Sequence, residues 1–217
     1  MLTDPIDFLY CRPTNPLHHM YTLDLSEIRL SDLDLVGGKN ASLGEMIQNL
    51  DTLGVKVPAG FAVSVRAYEK FIAHNRFDKR IRELIGNMDA NDLVSLRRTG
   101  SEVRQIIRNG EWPTDLQEEI KAKYRELSGR YHQEITDVAV RSSATAEDLP
   151  DASFAGQQET YLNVRGPEQI LSSIRNCFAS LFTDRAISYR ESFNFDHFDV
   201  GLSVCIQKMV RSDLAAS

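Results

Sequence analysis

Two stretches of this sequence pair cationic side chains with residues small enough to bring backbone amides close to oxygen anions, the combination that polyphosphate binding requires. The first is VGGKNASLGEM, Val36 to Met46, where two glycines permit an unusual backbone path and Lys39 follows them. The G-x-x-x-x-G-K-[ST] spacing of a Walker A loop is absent, and a plain glycine turn carrying an exposed lysine is the other reading of the segment. The second is VAVRSSATAEDLPDASFAGQQETYLNV, Val138 to Val164, where a short apolar run delivers Arg141 to a long loop of small and polar residues. An arginine at a strand end can fork two donors onto phosphate oxygens, and Ala155, Gly156 and Gln157 can lay amides over the same group. An ordinary surface loop, with Arg141 paired to Glu147 or Asp148, is the alternative.

These residues need elements to hold them. Leu43, Met46, Ile47 and Leu50 follow the i, i+3, i+4, i+7 rule of an amphipathic helix that ends near Gly54, so the Gly37, Gly38, Lys39 turn opens onto a helix N-terminus. Phe61 to Val63 reads as a strand that runs into a helix through Tyr68, Phe71 and Ile72. Residues 79–129 read as mainly helical, with Thr114 and Gln117 in a capping box and Leu116, Ile120, Tyr124 and Leu127 on one face. Arg97, Arg98, Arg104 and Arg108 are interspersed with Glu102 and Glu111, the pattern of a solvated helix face rather than of an anion site. Val138 to Val140 forms a strand that stops at Arg141, and Thr160 to Val164 forms another. Gly166 and Pro167 start a helix whose stripe of Ile170, Leu171, Ile174, Cys177, Phe178 and Leu181 should face the core. Leu202 to Val210 is a β-rich run, and the segment's ending soon afterwards suggests a cut. Residues 1–30, with Pro5, Pro13 and Pro16 and no sustained period, read as an extended arm.

Composition bounds the function. With 42% hydrophobic and 26% charged residues the chain has the balance of a packed globular fold. A net charge of -6 argues against broad contact with nucleic acid or anionic lipid while leaving room for a local phosphate site. No apolar stretch is long enough to span a bilayer and the N-terminus lacks a signal-peptide pattern, so a cytoplasmic setting is expected. Cys11, Cys177 and Cys205 are too scattered for a disulfide framework or a zinc site, and the last two read as small core hydrophobes.

Taken together and in this order, VGGKNASLGEM and VAVRSSATAEDLPDASFAGQQETYLNV resemble the signature of the dikinase family that includes phosphoenolpyruvate synthase, pyruvate phosphate dikinase and rifampicin phosphotransferase. LFTDRAISYR, Leu181 to Arg190, and IQKMVRSDLAAS, Ile206 to Ser217, continue the likeness, and the wording of the second motif is nearest to the synthase. The resemblance implies an α+β fold, the N-terminal part of an ATP-grasp unit over residues 31–217, cut before its second half. It implies that Lys39 and Arg141 contact ATP phosphates, that Gly156, Gln157 and Thr160 form the loop over them, and that Gln207, Met209 and Val210 line the adenine.

By the same likeness, ATP passes its β-phosphoryl group to a histidine on a separate mobile domain, and that phosphohistidine phosphorylates pyruvate. Pyruvate, ATP and water thus become phosphoenolpyruvate, AMP and phosphate, in the gluconeogenic direction, with Mg2+ neutralising the clustered phosphate charge. The carboxylates that hold Mg2+, the carrier histidine and the pyruvate site are expected outside these residues, so no catalytic or metal-binding residue is assigned here, and a homodimer is an expected assembly of the full-length protein. None of His18, His19, His74, His132 or His197 has the small-residue context of a carrier. The ATP-binding region of a rifampicin phosphotransferase and a noncatalytic truncated nucleotide-binding protein are the competing readings.

Overall fold

The structure, a computed structural model, describes residues 20–210 apart from 52, 90–91 and 146–158. Its centre is a five-stranded antiparallel sheet in the order β1-β2-β5-β3-β4. The strands are β1 (Thr22–Asp24), β2 (Gly60–Val63), β3 (Asp137–Ala144), β4 (Thr160–Arg165) and β5 (Leu202–Lys208). Around them lie α1 (Leu33–Asp51), α2 (Val65–His74), α3 (Phe77–Gly86), α4 (Leu93–Arg108), α5 (Thr114–Arg130), α6 (Pro167–Ser180) and α7 (Asp184–Ser192). The order mixes helices with antiparallel strands, as the α+β reading expects.

Side chains alternate across a strand, so the sheet has two distinct faces. Phe61, Val63, Val138, Val140, Val164, Val204 and Ile206 point into the larger core, which α2 to α7 complete with Tyr68, Phe71, Tyr124, Ile174 and Phe178. The predicted stripe of α6 is buried along its whole length, and Gly166, at φ 79, delivers the chain to Pro167 at the first turn of that helix. The opposite face packs on α1 through Leu23, Leu25, Ala62 and Cys205 against Leu35, Val36 and Ala41. Cys177 and Cys205 are buried free thiols, as expected of core positions; Cys11 lies outside the described residues.

Four local expectations are corrected by longer-range contacts. Within the stretch read as an arm, Thr22–Asp24 form an edge strand, and Leu23, Leu25 and Ile28 are fully buried. Thr22 donates to Glu119 from its amide and hydroxyl at 2.8 and 2.7 Å, and Arg130 pairs with Asp24, so α5 clamps this strand. β3 does not stop at Arg141 but continues to Ala144, because Ser142, Ser143 and Ala144 pair with Val204, Ser203 and Leu202 of β5. α5 begins at Thr114 with Pro113 as its cap residue, and no side chain caps it, so the Thr114 capping box is not formed. Arg104 is drawn out of the solvated face: it donates to Asp184 at 2.7 Å and to the Phe182 carbonyl at 2.8 Å, joining α4 to α7.

Candidate nucleotide site

The first glycine motif makes the closest approach of helix to sheet. α1 is broken at Gly37, which adopts φ 73 and ψ 161, a region that is essentially closed to residues with a Cβ. A Cβ at Gly37 would lie 2.5 Å from Ser143 Oγ, 2.6 Å from the Ser143 carbonyl oxygen and 2.9 Å from that of Ala144. The glycine therefore lets the helix backbone rest on the end of β3. Lys39 follows in the first turn after the break and is exposed. Its neighbour Asn40 is buried, donating from Nδ2 to Ser203 Oγ at 2.9 Å, with its amide 3.4 Å from Ser143 Oγ.

Strand register places the other predicted residues. Arg141 stands opposite Cys205 of β5 on one side and Thr160 of β4 on the other, so Arg141, Thr160 and Cys205 share the face on which α1 packs. Ser143 and Ser203 are partners one step along, beneath Asn40; Ala139 and Gln207 are partners one step the other way. Arg141, Thr160 and Leu162 are exposed, so this face is covered over Leu23, Ala62 and Cys205 and open over the β3–β4 side. Gln207 is buried and donates to the Pro58 carbonyl at 3.1 Å. Met209 lies past the strand end, its amide donating to the Asp137 carbonyl at 3.0 Å, and Val210 beyond it is 63% exposed. Gly156 and Gln157, with Glu147 and Asp148, lie outside the described residues; the flanks of their segment are tied down by Thr145 to the Gly201 carbonyl at 3.1 Å and by Ser142 to that of Glu159 at 3.2 Å.

The structure thus groups Lys39's helix turn, Arg141, Thr160 and Gln207 along one sheet face, while Met209 and Val210 continue past its end. Arg141 brings a positive charge beside Cys205, whose thiol burial pushes up to about 12 against the opposing pull of that charge. At the far end Lys208 pairs with Asp137, and its ammonium sits 5.7 Å from the Tyr131 ring centre. Asn40, Ser143 and Ser203 escaped the sequence reading as members of this face. The small polar runs KNAS and RSSA were the available signal, because hydroxyls and an amide at buried sheet positions need partners.

Among the described residues no group of three or more His, Cys, Asp or Glu side chains could hold a metal ion. Among the described residues the polar groups on this face are cations, hydroxyls and two amides, a set suited to oxyanions rather than to a divalent cation. Nor, among the described residues, is any helix long and apolar enough to cross a membrane.

Residues 33–217 match the family model described as the AMP/ATP-binding domain of pyruvate phosphate dikinase. The chain belongs to this family. It is 59% identical over 193 residues to the phosphoenolpyruvate synthase of Aquifex aeolicus, a match covering 89% of this chain and 22% of that protein. It is 54% identical over 195 residues to the phosphoenolpyruvate synthase of Synechocystis (88% of this chain, 24% of that protein) and 49% identical over 192 residues to that of Escherichia coli (88% and 24%). The chain therefore spans about a quarter of the length of these curated relatives. The dikinase resemblance drawn from the two motifs is borne out.

Proposed function

We propose that this chain is the ATP-binding portion of a phosphoenolpyruvate synthase that turns pyruvate, ATP and water into phosphoenolpyruvate, AMP and phosphate. The observation that carries the reading is the sharing of one sheet face, open at Arg141 and Thr160, by those two residues, Gln207 and the α1 turn bearing Lys39, in a chain whose curated relatives bear that enzyme's name. The fold is read as part of an ATP-grasp unit, with a second lobe closing over this face. ATP is laid along the strands, its phosphates between Lys39 and Arg141 and its adenine toward Gln207, Met209 and Val210. From Ser143 to Ala139 the strand rises about 13 Å at roughly 3.3 Å per residue, a span on the scale of an extended nucleoside triphosphate. Gly156 and Gln157 are read as the cover over the phosphates, while Thr160, in β4 beside Arg141, belongs to the sheet beneath them.

In this reading Lys39 and Arg141 supply fixed positive charge where the β-phosphoryl group leaves for a carrier histidine in another part of the protein. Arg141 can hold two oxygens in one plane and Lys39 acts as a point charge. Mg2+ is proposed to enter with the nucleotide and to neutralise its phosphates; none of the described residues is given the task of holding it. Pyruvate binding, a carrier domain and a homodimer belong to the full-length protein, in the cytoplasm where ATP and pyruvate are available.

Loss of either charge-assisted contact is worth about 1.5–3 kcal/mol, a fall in ATP-dependent histidine phosphorylation of roughly tenfold to more than a hundredfold. Lys39→Ala and Arg141→Ala in the full-length protein are expected to show it, with AMP and phosphoenolpyruvate formed by the unaltered protein from ATP and pyruvate. Near-normal rates in both variants would remove these residues from the site. ATP turnover that needs a rifamycin and ignores pyruvate would replace the synthase by an antibiotic phosphotransferase.

A further inference from the structure

We infer that Asn40, through the Ser143–Ser203 pair, is a positioning residue that sets Lys39 in register with Arg141; the inference rests on the nucleotide reading above. Ser143 and Ser203 face each other across β3 and β5, and both are almost wholly buried, at 1% and 0% exposure. Asn40, itself 2% exposed, spans them: its side-chain amide donates to Ser203 Oγ at 2.9 Å and its backbone amide approaches Ser143 Oγ at 3.4 Å. One helix residue is therefore stapled to two adjacent central strands. Lys39 precedes Asn40 in sequence, and Arg141 lies two residues from Ser143 on the same strand face.

The surroundings explain why a polar staple would be kept. Most of what α1 presses on this face is apolar, Leu35, Val36 and Ala41 meeting Leu23, Leu25, Ala62 and Cys205, and the bonds from Gln48 to the Ser26 and Ile28 carbonyls tie the helix to the segment after β1 rather than to β3 or β5. Hydrophobic contact is non-directional, so such an interface tolerates small slides of a helix along a sheet. Asparagine is also a poorer helix former than alanine, and three buried polar groups must be fully satisfied to avoid a penalty. An apolar trio would serve stability as well. Directional hydrogen bonds to a register pair add something apolar packing lacks, a single allowed offset between the helix turn and Arg141. The bare backbone at Gly37, held against Ser143 and Ala144, allows the approach that these bonds require.

The test couples the staple to the lysine. Asn40→Ala with Ser203→Ala removes the short side-chain bond with both its partners, so neither is orphaned, and leaves only the 3.4 Å contact from the backbone amide of residue 40 to Ser143 Oγ; with helix propensity gained, the urea midpoint should stay near that of the unaltered chain. Binding of trinitrophenyl-ATP is then titrated by fluorescence in the full-length protein, unaltered, with Lys39→Ala, with the staple-less pair and with all three changes together. The expected result is a loss of at least tenfold for Lys39→Ala in the unaltered background but under threefold in the staple-less one, because a lysine already out of register has little left to lose. An equal loss in both backgrounds overturns the positioning role while leaving the nucleotide site standing. Absence of binding by the unaltered full-length protein, or no effect of Lys39→Ala in it, overturns the nucleotide reading and the staple's role with it. Should the pair fail to fold, Ser203→Ala alone, which deletes a single oxygen atom, carries the same comparison.

Discussion

Replacing Gly37 by alanine is expected to be the most damaging single methyl addition in α1, and the structure separates the reasons. The first cost is conformational: φ 73 with ψ 161 lies in a region worth about 1–3 kcal/mol of strain to any residue with a Cβ. The second is steric, since the new carbon would meet Ser143 Oγ at 2.5 Å and two backbone carbonyl oxygens at 2.6 and 2.9 Å. Backbone oxygens cannot swing aside as a side-chain tip can, so overpacking adds about 1–3 kcal/mol. The sum, about 2–6 kcal/mol, is a large share of the roughly 5–15 kcal/mol that holds a domain folded. Two other glycines of the region each isolate one cause. Gly54 has φ 77 but nothing within 4 Å of its ideal Cβ, so Gly54→Ala should cost about 1 kcal/mol, from strain alone. Gly44 has no such backbone strain, but its Cβ would lie 2.5 Å from the Ile28 carbonyl oxygen. Alanine there gains about 1 kcal/mol of helix propensity against about 1–3 kcal/mol of overpacking, so a net loss of about 0–2 kcal/mol is expected. Urea denaturation followed by circular dichroism reads all three. A Gly37→Ala variant no less stable than Gly54→Ala would refute the claim that the helix backbone is seated against β3.

The other predictions concern buried titratable groups. Arg190 is fully buried and donates from Nε to His197 Nδ1 at 2.9 Å, so Nδ1 must carry no proton, while His197 Nε2 lies 2.8 Å from Glu191 Oε1. Burial holds the His197 pKa below its usual 6.5, with the Arg190 charge acting the same way and Glu191 opposing it. A depressed folded-state value means that the unfolded chain binds the proton more readily, so this stability is full above about pH 6.5 and declines as the pH falls below it. His197→Gln can keep both hydrogen bonds without titrating and should flatten the fall in urea midpoint between neutral and mildly acidic pH; an unchanged slope would clear His197 of the effect. Burial also raises the pKa of both Cys177 and Cys205, the latter to about 12, so iodoacetamide should modify neither in the folded protein and both in urea, as peptide mass spectrometry would read. Rapid native labelling of Cys205 would mean that the face beside Arg141 opens readily.

Much of the fold was legible because its signals are local. The α6 stripe, the Gly166–Pro167 start and the passage from Phe61–Val63 into α2 are matters of periodicity and turn chemistry within a few residues. The backbone break at Gly37 was legible for a similar reason: two glycines in succession before a cation and small residues state a backbone requirement on their face. What local pattern could not convey is which strand lies beside which. β3 runs on past Arg141 only because β5, some sixty residues later, supplies partners for Ser142 to Ala144. Leu23 and Leu25 are core residues only because β1 finds an edge on β2 and α5 holds it there. Arg104 leaves a charged helix face because Asp184, eighty residues on, offers a carboxylate at the right depth. The candidate site belongs to this second kind. Arg141, Thr160 and Gln207 share a face through strand register, and the α1 turn that carries Lys39 is tied to β3 and β5 by Asn40, contacts whose energy depends on distances closed across the whole chain and on no repeat that a window of sequence could reveal.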